Sequence, residues 1–223
     1  MVNLSDEEMI EKARVRELVE FERYCRDYAD YGTEEAEWNL WFDDARIVTT
    51  WHDGGKDTFM RTPGSFTYPK TKTPDEEGVI DSFHHRANNT LVWLKGTRAI
   101  AEYLCCMVSR RKVNGEWMDT QVMARMHYRA EKREGKWGLV FMDVIYEQDR
   151  MDPVFQDAAF TMPREVVKKH RNINWNMSGA GDYAKPGTGR KHRDEALLYG
   201  YDLPEQVNEL YAESTRWLKG EEV

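Results

Sequence analysis

Apolar residues in the first part of the chain recur at helical spacing. Ser5 and Glu8 have the spacing of a helix-capping box. Apolar positions then follow every three to four residues, the period of an amphipathic helix, at Val15, Leu18, Phe21, Cys25 and Tyr28. Gly32 predicts the end of this helix. A second short helix is predicted over Glu34–Phe42.

After the helices the pattern changes to that of strands. A β-branched strand from Ala45 ends at Asp53 and two glycines, and residues 56–82, with three of the seven prolines, predict a mobile loop or lid. Glycine-bearing turns separate four longer strands, at His85–Leu94, Arg98–Lys112, Asp119–Glu131 and Lys136–Tyr146. This order predicts an α+β domain over residues 1–150, with a curved antiparallel sheet folded over the N-terminal helices.

Residues 151–223 differ in character from the domain before them. They are polar and rich in glycine, with a short helical pattern near Arg164–Arg171 and a longer one from Pro204 to Gly220. The segment is predicted to be an extended and helical arm that packs on the domain or on a neighbouring subunit.

Composition excludes several classes of protein. The net charge of −8 argues against a nucleic-acid partner, because nucleic acid binds to a positively charged protein surface. No apolar run reaches the roughly 18 residues of a membrane span, and no signal segment is visible. Three cysteines, two of them adjacent, indicate a reducing cytoplasm. No phosphate loop, serine elbow or dinucleotide motif is present, so an enzyme here would rely on side-chain acids and bases.

Tyr24, Tyr28 and Tyr31 lie on one face of the first predicted helix. This face continues the apolar stripe, so their hydroxyls are expected to point towards the interior. One interpretation makes them core tyrosines that bond backbone carbonyls. The other makes them donors that polarise a substrate oxygen.

Two adjacent histidines begin a predicted strand. Neighbours in a strand face opposite sides, so only one of His84 and His85 can enter the interior. His85 and Asn88 form a His-x-x-Asn pattern. Such a histidine is either a structural hydrogen-bonding group or the acid or base of a reaction near neutral pH.

The strand Asp119–Glu131 alternates between a polar and an apolar face. Tyr128 is on the apolar face and is expected to point inward, whereas Arg125 and His127 are on the polar one. The alternation leaves open which face holds a ligand.

The chain resembles the SnoaL-like and scytalone dehydratase-like members of the nuclear transport factor two superfamily. The resemblance spans about residues 8–150 and is carried by EWNLWFDDARIVTTW, HHRANNTLVWLKGTRAIAEYLCCMVSR and ARMHYRAEKREGKWGLVFMDVIYEQD. It implies a cone-shaped fold and an apolar pocket that works without a cofactor. His85 matches the histidine of the dehydratase-like members, and Tyr24 falls near a helix tyrosine of ketosteroid isomerase. Thr49 stands where the isomerase has its catalytic aspartate, which argues against isomerase chemistry.

Residues and resemblance together predict a cofactor-independent lyase acting on a small phenolic aromatic substrate. It would release water, or formaldehyde by a retro-aldol step as in lyases of lignin-derived diaryl propanediols. His85, Tyr24 and Tyr28 are the expected catalytic residues. The expected substrate-binding residues are Tyr31, Trp51, His84, Asn88, Tyr103, Tyr128, Arg125 and His127. The alternatives are a non-catalytic dioxygenase small subunit and an apolar-ligand binding protein. A homo-oligomer without nucleic-acid or membrane partners is expected.

Overall fold

The structure is a computed structural model that describes residues 4–28, 34–49, 52–61, 74–80, 82–113, 115–157, 198–199 and 204–223. Predictions for Tyr31, Trp51 and the helical pattern near residues 164–171 lie outside these ranges. Within them, no helix combines the length and the apolar character needed to cross a membrane.

The described residues of the N-terminal part form the helices α1 (Asp6–Asp27), α2 (Glu34–Leu40) and α3 (Lys56–Arg61). The predicted capping box is present, because Glu8 and Ser5 each bond the other's backbone N–H. α1 ends before Gly32, with Tyr28 as its C-cap. The prediction of a loop from residue 56 is wrong for the six residues of α3. This short helix places Phe59 in the core.

In the described part of the chain, seven strands form one mixed sheet. They are β1 (Trp41–Val48), β2 (Asp53–Gly55), β3 (Ser82–Lys95), β4 (Arg98–Val113), β5 (Glu116–Arg133), β6 (Lys136–Pro153) and β7 (Leu198–Tyr199). The strand order is β2-β1-β6-β5-β4-β3, and β7 also pairs with β6. The predicted meander from β3 to β6 is confirmed, with Gly96 and Gly135 at positive φ in its turns.

The α+β fold class is confirmed, with one correction to the sheet. β1 and β7 each run parallel to β6, so the sheet is not purely antiparallel. The reason is the connection between the strands. After β1 the chain forms β2, α3 and the strands β3 to β5 before β6 pairs with β1. A direct hairpin would have made the two strands antiparallel.

Helices cover both faces of the sheet. On the inner face, α1 packs its buried side against one core that contains Val15, Val19, Tyr103, Met126 and Tyr128. On the outer face, α4 (Pro204–Leu218) packs on a smaller apolar cluster through Val207 and Leu210. The predicted helix from Pro204 to Gly220 is therefore confirmed. The division of the chain at residue 150 stays a prediction.

Candidate active site

A histidine–aspartate pair lies in the interior between α1 and β3. The Nδ1 atom of His85 is 2.6 Å from Oδ1 of Asp27, and the backbone N–H of His85 donates to Oδ2 over 2.7 Å. Arg23 donates to the carbonyl oxygen of His85 over 3.1 Å. Asp27 and His85 are only 1% and 5% exposed. The carboxylate therefore holds both the ring and the backbone of His85.

The charge on Asp27 determines which nitrogen of His85 can act. Burial by itself raises the pKa of Asp27, but the charge and hydrogen bonds of His85 outweigh it and hold this pKa below its ordinary value. An ionised carboxylate only accepts hydrogen bonds, so Nδ1 carries a proton, and a neutral imidazole held in this way has its lone pair on Nε2. This is the orientation that a general base requires.

Sequence reasoning identified His85 but missed Asp27. A signal was present, because Asp27 is the last residue of α1, at the negative end of the helix dipole, where an acidic side chain is unfavourable. An acid in that position, directly after the buried Cys25 and Arg26, requires a specific partner. The partner is a long way off in sequence, and the spacing of residues along α1 cannot reveal it.

A second polar cluster lies in the same interior, among residues of α1, α2, β4 and β5. Glu22 accepts from Tyr128 over 2.8 Å and from Arg26 over 3.2 Å, and the hydroxyls of Tyr128 and Tyr103 are 3.3 Å apart. Glu37 accepts from Trp41 Nε1 over 3.0 Å. Burial and the charge of Glu22 raise the pKa of Glu37 well above its ordinary value. The prediction that Tyr128 points inward is confirmed.

The expected inward position of Tyr24 is wrong, since its side chain is 42% exposed. Its ring stacks on Phe21 and Tyr28 along the outside of α1, with centroids 6.2 and 4.8 Å away. The buried stripe of α1 instead passes through Glu22 and Arg26. From the sequence, charged residues such as Glu22 and Arg26 were expected to face solvent. They are buried in the structure because they pair with each other.

The other predicted residues on α1 and β3 lie near the rim of the site. Tyr28 is half-buried, and its ring centroid is 6.0 Å from that of His84. Asn88 is exposed on β3. Neither His84 nor Asn88 is therefore brought into the deep interior with His85.

Arg125 and His127 lie on the outer face of the sheet, opposite the interior that holds His85, and their expected role in substrate binding stays a prediction. His127 contacts Glu102 through Nδ1 (3.0 Å) and Ser214 of α4 through Nε2 (2.8 Å). Arg125 donates to Tyr211 of α4. These residues hold α4, because the alternation of β5 sends them to the face opposite Tyr128.

The α+β fold is shared with solved structures that include a scytalone dehydratase-like protein, as the sequence resemblance predicted. A candidate scytalone dehydratase from Novosphingobium aromaticivorans superposes with a TM-score of 0.51 at 14% identity, over 66% of this chain and 91% of that one. A Mycobacterium tuberculosis protein of unknown function has a TM-score of 0.51 at 11% identity, over 80% and 86%.

Two fungal proteins are similar along almost the whole chain. Pea pathogenicity protein 2 of Fusarium vanettenii is 24% identical over 99% of this chain and 91% of its own length. A PEP2-like protein of the same organism has the same identity and coverage. No protein-family model matches the chain.

Proposed function

We propose that this protein is a cofactor-independent lyase in which His85 is the general base. The observation that carries the proposal is the buried Asp27–His85 pair, with its 2.6 Å contact between Nδ1 and the carboxylate. Asp27 fixes the ring, and Nε2 receives the proton from the substrate. Tyr28 at the rim of the site is proposed to contact the substrate.

The surroundings favour an apolar substrate with few polar groups. The core near the pair consists of Phe83, Ala87, Cys105 and Met107, and the ring of Phe83 packs edge-on against His85 at 4.9 Å. A phenolic aromatic compound fits such a wall, because its rings replace water while a few hydroxyls meet the acid and base groups. The neighbour described as a candidate scytalone dehydratase shares only the fold, and its name agrees with a lyase.

Two reactions balance with these groups. In a dehydration, Nε2 of His85 takes a proton from carbon, the C–H electrons form the double bond, and the C–O bond breaks to release water after protonation of the hydroxyl. In a diaryl propanediol, the base takes the proton of the primary hydroxyl and the C–C bond breaks. The electrons of that C–C bond form the double bond as the benzylic C–O bond breaks, so that formaldehyde leaves, the protonated hydroxyl leaves as water, and a diaryl alkene forms. Neither reaction changes the overall oxidation state, so no redox cofactor is required.

The test uses a 1,2-diaryl-1,3-propanediol with a free phenol as the probe. Alkene formation is followed by ultraviolet absorbance, and formaldehyde is measured separately. We expect turnover by the wild-type protein and a loss of about 100-fold or more in His85→Gln, the usual scale for general-base catalysis. Arg86→Gln, an exposed neighbour on β3, is the matched control and should keep the wild-type rate.

The outcomes separate the candidate functions. Turnover by His85→Gln at the wild-type rate would overturn the role of His85. Binding of the probe and of related phenols without any product would overturn the lyase and favour an apolar-ligand binding protein.

A further inference from the structure

Two fully buried carboxyl groups belong to the second polar cluster of the interior, apart from the Asp27–His85 pair. Glu22 is in α1 and Glu37 is in α2, and both are 0% exposed. The two elements bring them together although fifteen positions separate them in the sequence. The proposed base does not require either group.

The donors around the pair are too few for two ionised carboxylates. Arg26 and Tyr128 donate to the two oxygens of Glu22, and Trp41 donates to Oε1 of Glu37. Among the described residues, no group hydrogen-bonds Oε2 of Glu37. A buried carboxylate oxygen without a donor is costly, and a proton on the carboxyl group removes the charge that burial disfavours.

The charges lead to the same conclusion. Arg26 is the cation in contact with the pair in the part of the chain that the structure describes, and it lies over the ring of Phe59 at 5.3 Å. One guanidinium balances one carboxylate, and a second buried negative charge would be left without a partner. The remaining titratable groups that face the pair are Cys25 of α1, Tyr103 of β4 and Tyr128 of β5. Burial raises the pKa of each of these three groups and the charge of Glu22 raises it further, so they supply no positive charge.

We propose that Glu22 and Glu37 hold one proton between them at neutral pH and that this proton supplies the acid side of the reaction through Tyr128 and Tyr103. The proposal rests on the proposed lyase function and adds the general acid to it. The reaction needs a donor that protonates the departing hydroxyl as well as the base that removes a proton. Tyr103 gives its proton to the leaving oxygen and receives one from Tyr128. At rest Tyr128 donates to Glu22; once Glu22 has taken the proton from Glu37, this bond reverses and Glu22 donates to Tyr128.

The proposed proton path runs from the two glutamates towards His85. Tyr103 and Met107 share the inner face of β4, and Met107 pairs in register with His85. Four residues along a strand span about 13 Å, so the donor end and the base stand at two ends of one wall. A substrate with two aromatic rings is long enough to lie between them. Glu22 and Glu37 act through the tyrosines and are positioning residues in this scheme.

The proton is tested directly, without any substrate. Protein labelled with ¹³C at the glutamate carboxyl carbons is titrated by NMR. We expect one glutamic acid that is still protonated at neutral pH, and its loss in Glu37→Gln. In Glu22→Gln, the pKa of Glu37 should fall towards the ordinary range, because the like charge is gone and Arg26 becomes its partner. Glu17→Gln, which is exposed on α1, should leave the protonated group unchanged. Ionisation of every glutamate at neutral pH in the wild-type protein would overturn the proposal.

The supply of the proton is tested by the pH profile of turnover of the diaryl propanediol probe. We expect the wild-type rate to fall on the alkaline side, and Glu37→Gln to be slower and to lack this alkaline limb. Tyr128→Phe keeps the pair and cuts the path, so it should slow turnover while the NMR signal of the protonated glutamate remains. If Tyr128→Phe and Glu37→Gln both keep the wild-type rate and profile, the supply role is overturned. Failure of wild-type turnover would overturn the lyase, and the NMR titration would still decide the shared proton.

Discussion

Replacement of Asp27 by asparagine is the most direct perturbation of the buried pair. The carboxylate accepts two hydrogen bonds from His85, one from Nδ1 at 2.6 Å and one from the backbone N–H at 2.7 Å. An asparagine presents one oxygen and one NH₂ group to these two donors. When the amide oxygen takes the backbone N–H, the NH₂ group faces Nδ1, so the Nδ1–H bond is lost or the ring turns to the tautomer with its proton on Nε2, where it cannot act as the base.

The magnitude follows from the lost bond. A hydrogen bond to a charged group contributes about 1.5–3 kcal/mol, and a buried donor without a partner costs a similar amount. We therefore expect the free energy of unfolding of Asp27→Asn to fall by about 2–3 kcal/mol. Turnover of the probe should fall about 100-fold, because the ring loses both its orientation and the carboxylate that stabilises the charge formed on it.

The pH dependence provides an independent check with a definite sign. The pKa of Asp27 is lowered in the folded protein, so its contribution to stability is present above the unfolded pKa and is lost as the pH falls through the folded pKa. Acidification should therefore destabilise the wild-type protein more than Asp27→Asn.

Urea denaturation followed by tryptophan fluorescence measures the stabilities at several pH values. Asp57→Asn, an exposed aspartate of α3, is the control for loss of one acidic charge. The reasoning would be refuted if Asp27→Asn stayed within about 0.5 kcal/mol of the wild type, the range of ordinary surface substitutions.

Three further predictions concern other parts of the molecule. The pKa of Glu37 is raised in the folded state, so the free energy of unfolding should decline as the pH rises from the unfolded pKa through the folded pKa of this group. Urea titrations at several pH values should show this decline in the wild type and not in Glu37→Gln. Ser214→Ala leaves the buried Nε–H of Arg129 without its 2.9 Å acceptor, which should cost about 1–3 kcal/mol and make α4 more accessible to limited proteolysis. Gly138→Ala places a Cβ 2.7 Å from the ring of Phe42, so the melting temperature should fall with a loss of about 1–3 kcal/mol.

Each of these three has a result that would contradict it. An alkaline decline that persists in Glu37→Gln would mean that another group titrates. Unchanged proteolysis of Ser214→Ala would mean that the polar contacts do not hold α4. A wild-type melting temperature for Gly138→Ala would mean that the ring gives way at no cost.

The elements of the fold were predictable because their signals are local. A capping box begins α1, glycine turns separate the strands from β3 to β6, and the spacing from Pro204 to Gly220 marks α4. The parallel pairing of β1 with β6 was not predictable in this way. It joins segments about a hundred residues apart, and no turn residue records it.

The site was predictable only where a residue type is rare enough to attract notice. His85 is such a residue, whereas Asp27, Glu22 and Glu37 are common acids that a sequence assigns to solvent. Their burial depends on partners brought in by tertiary structure, Arg26 and His85 among them. Tyr24 and Tyr128 were both candidates because of their hydroxyl groups. In the structure Tyr128 is buried in the interior and Tyr24 is exposed.

The interior charges bear on the substrate as well as on the reaction. Arg23 is 3.6 Å from Asp27 and Arg26 is 3.2 Å from Glu22, so each of these carboxyl groups has one guanidinium beside it. In the proposed scheme the shared proton neutralises the remaining carboxyl group, and the set is balanced before a substrate enters. A charged substrate would leave one charge without a partner in a buried environment, which is costly. An uncharged phenol leaves the balance intact, and the base and the acid then exchange protons with it while the total charge of the interior stays constant.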